Sequence, residues 1–221
     1  MTDLLPTDDE AAESARELAA RGHAGRAVRD LGHAIVGHNN PEELLEMVAM
    51  SVEAMAVQLA KGSPRSRPGR DMQNRAAEPV PPDGQRIESH PDRPISGAAS
   101  PWGVDLVVTR DGDEAVGVCT LRAAHEGAPG RSHGGVVAAT FDDLFGFVLT
   151  IHQAVAFTGE LTIRYVAGTP LFEPIEFRAR LVGRERRKLY ITGEARASQG
   201  LIATATSTFI SLLDEPAGAV G

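Results

Sequence analysis

The chain has 221 residues, 42% of them hydrophobic, enough for one full core plus an appendage. Its 22 Lys and Arg stand against 30 Asp and Glu, a formal net charge of -8. That balance argues against nonspecific binding of nucleic acid, which rests on neutralising phosphates. A single cysteine, Cys119, rules out an intrachain disulfide and the class of secreted disulfide scaffolds. The opening residues, MTDLLPTDDE, are acidic and lack a basic stretch followed by an apolar run. No signal peptide is expected, and a cytoplasmic protein is the default.

Residues 1–62 read as a helical extension. Thr7 before Asp8, Asp9 and Glu10 has the form of an N-cap with acids in the first turn. A helix follows over Ala11 to Arg21, Gly22 and Gly25 punctuate it, and a second piece runs from Arg26 to His38. Asn40-Pro41-Glu42-Glu43 is another start signal, with proline at the first helical position. The helix it opens carries Leu44, Leu45, Val48, Val52, Met55 and Leu59 at helical spacing, a packing surface rather than a site. These stripes are expected to cover or extend the core of the following domain.

Residues 63–96 change character. Seven prolines are mixed with Arg and acidic residues, including the cluster Arg65, Arg67 and Arg70, and large apolar side chains are few. This composition reads as a solvated linker. From Gly97 the period becomes two. Val104, Leu106 and Val108 alternate, Asp111-Gly112-Asp113 turns, and Ala115 to Arg122 returns. Four more strands are expected after residue 156, among them Ile175, Phe177, Ala179 and Leu181 alternating with Glu176, Arg178 and Arg180. Residues 97–214 thus form one domain, and 215–221 a tail.

Between the second and third strands lies GRSHGGVVAATFDDLFGFVLTIH, Gly130 to His152. Almost every position after the glycines is apolar, so the segment reads as a helix buried on all sides. Asp142 and Asp143 interrupt it, which argues against a membrane span. Buried acids need a reason. Antiparallel strands with one wholly apolar helix are most simply built as an α+β fold, a curved sheet wrapped around that helix.

The stretch GRSHGGVVAATFDD resembles the motif of the phenylacetate-type acyl-CoA thioesterases, which have the hotdog fold. The later FTGELTIRY and ATATSTFI are similar to that family's third and last strands. The resemblance covers about Gly97 to Leu213. It implies hydrolysis of an acyl-CoA, or acyl-carrier-protein, thioester at a site between paired subunits, in a dimer or a dimer of dimers. It places the catalytic carboxylate, general base or nucleophile, at Asp142 and a water-orienting hydroxyl at Thr158. Gly134 would offer its backbone N–H to the developing oxyanion at the helix N-terminus. His133 either touches substrate or caps the helix, and Gly135 borders the substrate. Asp143 is read as a structural or interfacial acid next to the substrate and the second candidate for the base. Two departures from the family pattern stand out: Gly127 where relatives often have a polar residue, and Gly168-Thr169-Pro170 after the third strand.

Spacing adds a separate constraint. His133 and Asp142 are nine residues apart, about 13–14 Å along a helix and about half a turn out of phase. Both cannot reach one carbonyl from the same helix. If both act, the site joins Gly134 of one subunit to Asp142 of another. The alternative reading is a non-catalytic hotdog module that binds acyl-CoA. His125 and Glu126 read as a solvated loop in preference to a lining of the site entrance, Cys119 as a packed thiol, and Arg184, Arg186, Arg187 and Lys188 as a basic turn within reach of coenzyme A phosphates or simply solvated. No zinc spacing, phosphate loop or dinucleotide fingerprint is present, so neither metal nor cofactor is expected.

Overall fold

A computed structural model describes residues 8–65 and 79–212, with side chains from residue 14 onward. The expected cap at Thr7, Arg67 and Arg70 of the basic cluster, and the tail 215–221 lie outside the described residues. The elements run α1 (Asp8–Gly37), α2 (Glu42–Leu59), β1 (Val107–Asp111), β2 (Glu114–Thr120), a 3-10 turn (Ala123–His125), α3 (Gly134–Ile151), β3 (Ala156–Tyr165), β4 (Pro174–Glu185), β5 (Lys188–Ala197) and β6 (Gly200–Ser211). The six strands form one antiparallel sheet in the order β1-β2-β4-β5-β6-β3. This is the α+β hotdog arrangement, with the sheet wrapped around α3.

Size complementarity holds α3 in the sheet. Phe141, Leu144, Phe145 and Val148 are fully buried, and the strands beneath them carry small residues. A Cβ on Gly193 would lie 2.9 Å from the Phe145 ring, and one on Gly117 would lie 3.1 Å from Leu144 Cδ1. Phe177 meets Phe141 edge-on at 5.1 Å. In β4 the alternation is as expected, with Ile175, Phe177 and Ala179 buried. By length and composition α3 is apolar enough for a membrane span, but ten of its residues are buried within the protein.

The second half of the expected linker is not a spacer. Residues 84–87 pair with β1, Arg93 reaches α3, and Ile87, Ile95, Val104 and Leu106 join the core. β1 starts at Val107 rather than Val104 because Asp105, at φ 52°, breaks the extended run. Arg93 is the clamp of this segment. Its Nε donates to Asp143 Oδ1 (2.8 Å) and its NH2 to the Asp143 carbonyl (2.7 Å). The guanidinium also stacks on Phe147, 4.4 Å from the ring centre. Gly146 makes room for it, since a Cβ there would sit 2.5 Å from Arg93 NH2.

The extension docks, but not through apolar stripes. α1 is continuous across Gly22 and Gly25. These glycines are contact points instead: a Cβ on Gly25 would lie 2.6 Å from the Ala99 carbonyl. The buried positions of this helix, Gly25, Arg29 and His33, carry no apolar side chain, and ion pairs flank them. Arg21 pairs with Asp92 at 2.8 Å. Arg29, 3% exposed, reaches the Ala98 and Ser100 carbonyls and Asp105. Asp30 pairs with Arg122 at 2.7 Å. His33 accepts from the Ala124 N–H at 3.0 Å and meets His125 edge-on at 4.7 Å. The apolar Val28, Ile35 and Val36 stay exposed, and α2 has no buried residue. The expectation that apolar faces would seat these helices is thus corrected: within one chain, charge, histidine and glycine do it.

Two predictions follow from these contacts. Arg93→Met strands a buried carboxylate at Asp143, so urea denaturation should show a loss of about 3 kcal/mol, largely recovered in Arg93→Met/Asp143→Leu. His125 is neutral in the fold. Burial, with help from His33 and Arg122, takes it from 6.5 to about 4. Between those values the unfolded chain binds a proton that the folded chain refuses. Stability is therefore full above pH 6.5 and declines as pH falls toward 4. The urea midpoint followed against pH should show this slope, and His125→Asn should flatten it.

Candidate active site

The N-terminus of α3 is held open as a donor site. His133 is the N-cap, and its Nδ1 accepts the Gly135 N–H at 3.0 Å. Its own N–H bonds to the His125 carbonyl at 2.8 Å. Gly134 is anchored from the other side by Tyr165, whose hydroxyl donates to the Gly134 carbonyl at 2.7 Å. Among the described residues, the Gly134 N–H meets no acceptor. It stands at the positive end of the helix dipole, where it is available to an acceptor. Of the two roles considered for His133, the cap is the one its geometry displays, while the Gly135 N–H is occupied by that cap.

The departure at Gly127 has a steric cause. A Cβ there would come within 2.7 Å of His133 Cα, so the loop can pass the cap only as glycine. Gly168 similarly lies against the Arg131 guanidinium, and the next carbonyl, of Thr169, accepts the Ser132 N–H at 2.9 Å.

Asp142 and Thr158 meet. The Thr158 hydroxyl donates to Asp142 Oδ1 at 2.8 Å, which leaves the second carboxylate oxygen open toward a cavity of about 240 Å³ lined also by Arg93, Ala156, Phe157 and Phe209. A bulge in β3 between Thr158 and Glu160 aims the threonine. Asp143 does not share this cavity. It is 8% exposed and bound to Arg93, so the residue expected beside the substrate is placed in the scaffold.

His133, Gly134 and Gly135 therefore form one cluster and Asp142 with Thr158 another, on a helix that runs unbroken between them. The second cluster lies at the sheet end that carries the basic turn. Lys188 pairs with Ile210, which pairs with Phe157. The Arg187 Nε donates to the Ser211 carbonyl at 2.8 Å.

Other candidates resolve simply. The buried Cys119 thiol is pushed up to about 12 by desolvation, which removes it as a nucleophile. His125, read as part of a solvated loop, is buried, its Nδ1 accepting the Arg122 N–H at 3.0 Å. Among the described residues no group of three or more His, Cys, Asp or Glu is placed to hold a metal ion. Arg93 and Tyr165 are site residues that the sequence reading missed. Nothing in a Pro/Arg-rich stretch marks Arg93 as an arginine that folds back onto the helix. Tyr165, visible as a strand residue, gave no sign of reaching the helix start.

A family model described as the thioesterase superfamily matches residues 129–204. A crystal structure described as a thioesterase superfamily protein matches at a TM-score of 0.72 and 25% identity, over 86% of this chain and 94% of that one. The matched share extends beyond the sheet and α3 into the preceding segment. The PaaI protein of the E. coli phenylacetic acid degradation operon matches at 16% identity and a TM-score of 0.46, over 48% of this chain and 83% of its own. A Streptococcus mutans protein, smu.793, solved with acetyl CoA, matches at 18% and 0.44, over 47% and 85%. No curated protein sequence matches the chain. The chain therefore has the hotdog fold, preceded by an N-terminal helical extension, and is similar over residues 129–204 to the thioesterase superfamily.

Proposed function

We propose that the protein hydrolyses an acyl-CoA thioester to the free acid and CoA. The observation that carries this reading is the division of the chemistry on α3: an uncommitted N–H at Gly134 and a carboxylate at Asp142 held by Thr158. In the proposed reaction the thioester carbonyl oxygen sits on the Gly134 N–H. Asp142 of another subunit either takes the proton from an attacking water or attacks the carbonyl itself. The tetrahedral intermediate collapses, the C–S bond breaks and the CoA thiolate leaves. In the second route, water then cleaves the acyl-aspartate anhydride. Thr158 fixes one carboxylate oxygen and leaves the other for chemistry.

The same division supports a homo-oligomer. Asp142 is eight residues beyond Gly134, roughly 12 Å of helical rise, so one chain does not bring them onto one carbonyl. β3 is an edge strand of ten residues that leaves Phe157 and Tyr165 half exposed. Such a free edge suits pairing with its copy. A dimer, or a dimer of dimers, would place Gly134 of one subunit near Asp142 of the next. The arginines of the β4–β5 turn lie at the same sheet end as Asp142, suitably placed for the phosphates of CoA.

A panel of acyl-CoAs with free thiol release followed tests the reading. Asp142→Asn should lower kcat by about 10²–10⁴ while acyl-CoA binding persists. Gly134→Pro should cost about 10²–10³ by removing the donor. His133 is extended (φ -64°, ψ 132°), as the residue before a proline must be, and the first helical position tolerates proline. Since any Cβ there would lie 3.0 Å from the Tyr165 hydroxyl, Gly134→Ala, which keeps the N–H, is the control. Binding of every acyl-CoA without cleavage of any would replace the enzyme reading with that of an acyl-CoA-binding module. Full activity in Asp142→Asn would remove Asp142 from the chemistry.

A further inference from the structure

A second cavity, of about 380 Å³, lies between α1, residues 95–104, the 3-10 turn and the start of α3. We propose that it receives the acyl group of the thioester, and that Gly32 on α1 sets the length of acyl chain it admits. This rests on the thioester reading above and names the substrate's variable end.

The walls are those of an acyl pocket. Ile95, Pro101, Val104, Val136 and Ala139 line it, with Trp102 at its edge, 65% exposed. The polar groups on its wall are largely committed, Arg29 Nε being the buried atom left without a partner. Arg29 is bonded to the Ala98 and Ser100 carbonyls and to Asp105, so it offers its stem rather than a free charge. His33 and His125 each accept a backbone N–H at Nδ1, the arrangement of neutral imidazoles. The cavity also reaches His133 and Gly135, the neighbours on either side of Gly134. A carbonyl held on the Gly134 N–H would have its alkyl or aryl arm at this mouth. The volume is in the range of small-molecule sites.

Gly32 is what distinguishes this cavity from a packing gap. A glycine inside a helix costs about 1 kcal/mol against alanine, so it calls for a reason. Gly25 and Gly37 have one, since a Cβ on either would sit 2.6 Å from Ala99 or 3.0 Å from Ala123. Gly32 has no such neighbour: a Cβ there meets nothing within 4 Å. It lines the cavity and keeps it open. The extension is thereby part of the substrate site, which explains why a hotdog domain would hold a long helix through buried polar contacts.

The test is Gly32→Leu, with Gly32→Ala as the control. Both add helix propensity into open space, so both should fold and melt slightly higher than the parent. Across acyl-CoAs from acetyl to dodecanoyl and phenylacetyl, Gly32→Leu should leave kcat/KM for acetyl-CoA within about three-fold. It should lower the value for the longest acyl groups the parent accepts by about ten-fold or more. Gly32→Ala, a smaller step into the same space, should shift the profile in the same direction by about three-fold or less. Calorimetry with S-alkyl-CoA thioethers, which cannot be hydrolysed, reads the cavity apart from the chemistry. A preference shortened by Gly32→Leu supports the pocket even if no thioester is cleaved, an outcome that would remove only the hydrolase reading. An unchanged length profile in folded Gly32→Leu, in either assay, overturns the pocket.

Discussion

The whole arrangement depends on one constraint, a straight helix enclosed by a sheet. α3 remains unbroken because Phe141, Leu144 and Phe145 fill the concave face over Gly117 and Gly193, where nothing larger than hydrogen fits without displacement. Interiors packed this densely do not bend to bring two side chains together. The helix therefore acts as a ruler. Its start presents a backbone donor and its middle a carboxylate, at a separation the core does not let vary.

The parts around the ruler each restrain one mark on it. Arg93 ties down Asp143 and crosses Gly146, so that of two adjacent acids one is absorbed into the scaffold and the other faces the cavity with Thr158. His133, Tyr165 and the close pass of Gly127 hold the start of the helix, where the Gly134 N–H meets no acceptor among the described residues. α1 reaches the same region through Arg29 and His33 and closes a cavity over it. Polar docking has a physical consequence. Buried, hydrogen-bonded charges fix orientation more than they add stability, whereas an apolar stripe would tolerate sliding.

Local signals made the sheet and core helix legible in the sequence. The alternation of Ile175, Phe177 and Ala179, the Asp111-Gly112-Asp113 turn and the apolar run after His133 each carry their own period. Asp142 and Thr158 were legible only through the family motif, and the structure puts their side chains in contact. What escaped the sequence was long-range. Arg93 sits in a stretch whose prolines and charges have the composition of a linker, and its partner lies fifty residues on. Gly22 and Gly25 read as breaks because a glycine's intrinsic cost is local, while the Ala98 and Ala99 surfaces that use them are not. Asp143 was read as a structural or interfacial acid, but its partner Arg93 was not legible, because helical phase alone does not say which side an irregular segment will cover.

The measurement that tests the central claim most directly mixes two crippled chains. Asp142→Asn lacks the carboxylate and Gly134→Pro lacks the donor, so each homo-oligomer has only defective sites. If the site joins two subunits, random reassociation gives mixed dimers in which one site holds both lesions and the other holds neither. Half the dimers are mixed and half their sites intact, so thiol release should recover to about a quarter of the parent activity. If the mixture stays at the average of the two variants although mass spectrometry shows mixed dimers, Gly134 and Asp142 act within one chain and the account is contradicted.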